Sequence, residues 1–121
     1  MFVIRILAVL TLTALQACGA CVSLGLFGFQ VTVRDAATLR APRSPVIATI
    51  TEGSYEEKLQ IAFPQDSSGL LGAFEREGRY QLRIEVPGYQ TVVRNGLHVR
   101  RKGRCDELQS IRLTINLVPT P

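Results

Sequence analysis

One histidine among 121 residues, His98, excludes a His-based metal cluster and leaves any Ser-His or Cys-His nucleophile dependent on this single imidazole. Its place between Leu97 and Val99 sets it on the outward face of a strand. No Gly-x-x-x-x-Gly-Lys, Gly-x-Gly-x-x-Gly or Gly-x-Ser-x-Gly run occurs, so neither a phosphate cradle nor a nucleophile elbow is encoded. An Asp-x-Asp-x-Asp-Gly calcium loop is missing too, and Glu56-Glu57 and Glu75 with Glu77 read as solvated turns and strand faces. The apolar run Ile6 to Leu15 is about ten residues, too short to cross a bilayer. Fourteen basic against ten acidic residues give a formal charge of +4, too small a bias to point to nucleic acid. These scarcities predict no enzyme, no cofactor and no metal.

What the chain has in abundance is alternation. Phe27, Phe29, Val31 and Val33 share one parity and Gln30, Thr32 and Arg34 the other, which predicts a first strand ending at Asp35. Asp35 to Pro45 has no periodicity and two prolines, a loop. Val46 to Thr51 is rich in β-branched residues and closes at Glu52-Gly53-Ser54. A strand over Tyr55 to Ala62 follows, then a polar turn at Pro64 to Gly69 and a short strand over Leu70 to Arg76. Glu77-Gly78 is read as a tight hairpin into Tyr80-Gln81-Leu82-Arg83-Ile84-Glu85-Val86, the cleanest half-buried strand of the chain, which Pro87-Gly88 ends. Asn95-Gly96 fits a hairpin turn or a bulge in one bent strand, the latter needing fewer elements. Ile111, Leu113, Ile115 and Leu117 make the last strand. About seven short strands without an amphipathic helix predict an all-β fold, an antiparallel β-sandwich, after an N-terminal signal helix.

Arg5, the apolar run and the small residues behind it form an export signal. Leu15-Gln16-Ala17-Cys18 resembles the lipobox of bacterial lipoproteins, with Gln16 where a small residue is usual. The resemblance implies a signal peptide over 1–17, a lipidated Cys18 with a tether over 18–26, and a domain over 27–121. Gly19 after Cys18 implies an outer-membrane destination facing the periplasm. The rival reading is cleavage after Ala20 and secretion to the periplasm. Either way Cys21 and Cys105 remain as an even pair in an oxidising compartment, disulfide-bonded or as two free thiols.

Val33-Arg34-Asp35-Ala36-Ala37-Thr38, with the later Gly78-Arg79-Tyr80-Gln81-Leu82-Arg83-Ile84-Glu85-Val86-Pro87-Gly88-Tyr89, resembles the carboxypeptidase regulatory-like domain, a transthyretin-like sandwich. Leu39 stands where that pattern has Gly, and Arg40 to Pro45 lengthens the turn. The resemblance implies a non-catalytic structural or binding module, with Tyr80 and Tyr89 as core and corner residues. One charged feature stands out: Arg94, Arg100, Arg101, Lys102 and Arg104 are five cations within eleven positions. They are the candidate surface for an acidic envelope protein or an anionic glycan or lipid, which would make the chain an inhibitor or accessory subunit. The alternative is a solvated loop that protects a sheet edge.

Overall fold

The computed structural model describes residue 21, residues 25–63 and residues 66–121. The expected signal helix and Cys18 lie outside the described residues. Within them the chain forms ten strands and two sheets of four, with a small two-stranded ribbon at one end. The strands are β1 (Phe27–Asp35), β2 (Ile47–Glu52), β3 (Tyr55–Lys58), β4 (Gln60–Phe63), β5 (Asp66–Phe74), β6 (Gly78–Glu85), β7 (Val92–Val99), β8 (Arg101–Lys102), β9 (Glu107–Leu108) and β10 (Ile111–Leu117). Sheet order is β10-β1-β5-β4 on one side and β3-β2-β6-β7 on the other, with β8-β9 as the ribbon. The result is an all-β sandwich.

Alternation places the core. Phe29, Val31 and Val33 of β1, Leu70 of β5 and Ile115 and Leu117 of β10 face Ala48 and Ile50 of β2, Leu82 and Ile84 of β6 and Val99 of β7 across one continuous apolar interior. The Phe29 and Tyr80 rings meet edge to face, centroids 5.3 Å apart, and join the two sheets toward the Phe27 end of that interior. Gln81, Arg83 and Glu85 take the solvent side of β6, as a two-residue period requires.

Four features depart from the local reading. Tyr55 to Ala62 is two strands: β3 pairs with β2, the chain turns inward at buried Leu59, and β4 pairs with β5 in the opposite sheet. β5 starts at Asp66, within the segment read as a turn, and runs to Phe74. The predicted hairpin at Glu77-Gly78 is not one, because β5 and β6 belong to different sheets and Glu75–Glu77 crosses between them. Positive φ at Ala73 (53°) and Glu75 (51°) turns the chain away from β5. A Cβ at Gly78 would sit 2.5 Å from the Glu52 carboxylate, which would have to move from its bonds to Arg76 and the Arg79 N–H. Lastly, β1 pairs with β10 in parallel, Phe29 opposite Ile111 through Asp35 opposite Leu117, whereas the sandwich is otherwise antiparallel. At Asn95-Gly96 the chain is one bent strand, with the β6–β7 register shifting between Tyr80 and Leu82 and Gly96 at φ 67°.

A candidate functional site at two poles

The two ends of β1 are chemically different. At the Phe27 end Cys21 is bonded to Cys105, in the turn of the β8–β9 ribbon. The Glu75 carboxylate accepts the Leu26 N–H at 2.7 Å and the Arg101 Nη1–H at 3.2 Å, while the Glu75 carbonyl accepts from Arg101 Nη2 at 2.7 Å. Ser110 closes the same corner by donating to the Phe27 carbonyl. Arg101 is therefore a strut between the ribbon and the β5–β6 crossover, three-quarters covered. It is no part of an open cationic surface.

The remaining members of the basic group divide. Arg100, Lys102 and Arg104 are exposed on or beside the ribbon, together with Asp106 and Glu107. Arg94 stands two residues into β7, exposed and on the order of 20 Å along the strand from Arg100. His98 is half-buried and its Nδ1 accepts the Arg100 Nε–H at 2.9 Å. Partial burial and the charges of Arg79 and Arg100 hold its pKa below the usual imidazole value.

Beside this pole, at the crossover, further polar groups serve the fold. Arg76 lies 3.6 Å over the Tyr55 ring, donates to the Tyr80 hydroxyl at 2.7 Å and pairs with Glu52 at 3.0 Å. The Tyr80 hydroxyl in turn donates to the Arg76 carbonyl at 3.0 Å. Glu52 also accepts the Arg79 N–H at 2.5 Å; that bond first, and Arg76 second, keep its carboxyl ionised below the ordinary range. Glu57 of β3 accepts the Tyr55 hydroxyl at 2.6 Å and the Ala73 N–H of β5 at 3.0 Å, a clasp from one sheet to the other. The bond to Glu57 pushes the Tyr55 pKa up to about 12. The carboxylates Glu52, Glu57 and Glu75 are thus structural partners, and among the described residues no group of three His, Cys, Asp or Glu side chains converges on a metal position.

At the Asp35 end a cleft of about 610 Å³ opens between the loop after β1 and the corner after β6, lined by Asp35, Thr38, Arg40, Ala41, Arg43, Ser44 and Tyr89. Asp35 builds it. One carboxylate oxygen accepts the N–H groups of Ala37 (2.7 Å) and Thr38 (3.0 Å), and the other accepts the Tyr89 hydroxyl at 2.5 Å. The Tyr89 bond, then the two backbone bonds, hold the Asp35 carboxyl below its usual range, and the same bond raises the Tyr89 hydroxyl. The two segments that carry the family resemblance, Val33 to Thr38 and Gly78 to Tyr89, meet in this contact.

Sequence reasoning did not single out Arg40 and Arg43. Both sit in a stretch without periodicity, and the signal that existed was the lengthened turn from Arg40 to Pro45. No known family model matches the chain, and none of the curated proteins does either.

Proposed function

We propose that the protein is a non-catalytic lipoprotein of the bacterial envelope: a β-sandwich binding module, anchored in the outer membrane by lipid on Cys18 and facing the periplasm. The observation that carries this reading is the polarity of the sandwich. Cys18 precedes Cys21 by three residues, a reach of at most about 10 Å, and Cys21 is bonded to the ribbon at one pole. The cleft opens at the other pole, a nine-residue strand or about 27 Å away. A short tether at one end and a recess at the other suit a module that presents its recess away from a membrane. The engagement of Glu52, Glu57 and Glu75 in structural bonds supports a role without catalysis. Mass spectrometry of the mature N-terminus tests the anchor. Acylated Cys18, with the protein released to the soluble fraction by Cys18→Ala, is the expected result; an unmodified chain beginning at Cys21 refutes it.

Exposed Arg100, Lys102 and Arg104 favour a second reading, in which the ribbon grips an acidic protein or an anionic glycan or lipid and the chain acts as an inhibitor or accessory subunit. Charge reversal at these three positions, sparing the strut Arg101, followed by pulldown discriminates. An unchanged set of partners eliminates the ribbon as the contact.

A further inference from the structure

From the cleft at the Asp35 pole we infer a binding site for a small sugar that carries an oxyanion, phosphate or carboxylate, with Arg40 and Arg43 as its charge-recognising residues and Tyr89 as one wall. This deepens the reading of the chain as a binding module and is independent of the lipid anchor.

Four observations converge on it. First, Arg40 and Arg43 form no ion pair with an acidic residue among the described residues, although both line a recess. This contrasts with Arg76 and Arg101, whose carboxylate partners are in place. A guanidinium presents a planar fork of donors that matches phosphate and carboxylate two bonds at a time. Second, Asp35, the acid in the cleft lining, has both oxygens occupied by Ala37, Thr38 and Tyr89. Its charge reduces the local excess to one positive, so the site favours a singly or doubly charged ligand over a polyanion.

Third, the loop is held in advance. The Asp35 N–H donates to the Arg40 carbonyl at 2.7 Å, the Leu39 N–H donates to the Asp35 carbonyl at 2.8 Å, and the Ala36 N–H donates to the Leu117 carbonyl at 2.8 Å. Arg40 also donates its N–H to the Thr38 hydroxyl at 3.3 Å. The loop backbone around Arg40 is thus ordered before binding, and the ordering left to be done is that of the two exposed arginine side chains. Fourth, the remaining lining consists of Tyr89, Ala41 and the hydroxyl residues Thr38 and Ser44. With its hydroxyl tied to Asp35, the Tyr89 ring is fixed in place as a surface for the C–H face of a pyranose, and the hydroxyl residues suit sugar oxygens. A volume of about 610 Å³ accommodates a mono- or disaccharide.

The test is a titration of the full-length protein in detergent, followed by backbone amide NMR, with glucose 6-phosphate, glucuronate, glucose and inorganic phosphate. Shifts confined to residues 36–44 and 88–90 with glucose 6-phosphate or glucuronate, at roughly millimolar concentration, are expected. The stronger of these two ligands identifies the oxyanion. Arg40→Ala with Arg43→Ala is expected to weaken binding on the order of tenfold or more, and Arg40→Lys with Arg43→Lys to restore part of it. Both side chains are exposed, and an unchanged spectrum elsewhere verifies the fold of each variant. Three results overturn the inference: no shift in these segments with either charged sugar, equal binding by the alanine variant, or glucose bound as tightly as its charged counterparts. Inorganic phosphate bound as tightly as glucose 6-phosphate overturns the sugar part. Loss of the anchor on Cys18→Ala leaves all of these outcomes unaltered, so the two readings fail separately.

Discussion

Arg76→Ala removes the residue that ties the β5–β6 crossover to the second sheet, and the size of its effect follows from what the guanidinium touches. Its bond to the Tyr80 hydroxyl is 2.7 Å long against a side chain only 1% exposed, and a charged hydrogen bond of that kind contributes about 1.5 to 3 kcal/mol. The lower end applies, because the Tyr80 hydroxyl retains the Arg76 carbonyl as acceptor at 3.0 Å. The stack on Tyr55 at 3.6 Å adds about 0.5 to 1 kcal/mol at a site that is about one-third exposed. The ion pair with Glu52 is partly solvated on both sides and adds little. The expected loss is about 2 kcal/mol, or about 10 °C in Tm for a domain of this size. Urea unfolding followed by far-UV circular dichroism measures it, tryptophan being absent. Arg76→Lys keeps the charge but neither the fork nor the stack, and is expected to recover less than half. In a double-mutant cycle with Tyr55→Leu, a coupling of about 0.5 kcal/mol or more isolates the stack. A loss under about 0.5 kcal/mol for Arg76→Ala refutes the argument, since deletion would then cost no more than an ordinary surface substitution.

Three further outcomes are expected. Reduction of Cys21–Cys105, which spans 84 positions, lowers stability by up to about 4 to 5 kcal/mol in the chain-entropy account, and an unchanged urea midpoint with reductant present would contradict a bonded pair. His98 titrates below its unfolded value of 6.5, so the unfolded chain binds more protons as the pH falls past 6.5; stability present above that pH declines toward the folded pKa, and His98→Gln flattens the decline. Gly72→Ala places a methyl 2.0 Å from Leu59 Cδ2 in a buried site and is expected to cost about 1 to 3 kcal/mol, partly recovered when Leu59→Ala is added; additive losses would show that this close approach is not the cause.

Much of the core was legible because a two-residue period is a local property. The positions read as apolar in Tyr80 to Val86 are the buried ones, and Phe29, Val31 and Val33 are covered as their parity requires. Parity has limits even so: Ile61 shares it with Leu59, yet Leu59 is 8% exposed and Ile61 52%. The chain changes sheets between them, and the face that was inward on β3 no longer is on β4. Glu77-Gly78 misled for a related reason, since a glycine after a strand marks a turn without naming the sheet to which the next strand belongs. In the candidate sites, five nearby cations read as one surface became three groups: a partly covered strut, an exposed ribbon and an isolated Arg94. Arg101 meets Glu75 across 26 positions, a pairing that no local pattern records.

By itself the sequence determined the class of fold, through the alternation of its strands. Its scarcity of imidazole and its lack of phosphate-binding motifs narrowed the chemistry, and the N-terminal pattern is the ground for the envelope reading. Those are properties of neighbours along the chain. Only the tertiary structure decided that β1 runs parallel to β10, that β5 and β6 lie in opposite sheets, and that Asp35 and Tyr89 meet across 54 positions to form a cleft with Arg40 and Arg43 in its lining. These arrangements depend on which distant surfaces pack, and an alternating pattern is satisfied by several such pairings while the closed sandwich satisfies one.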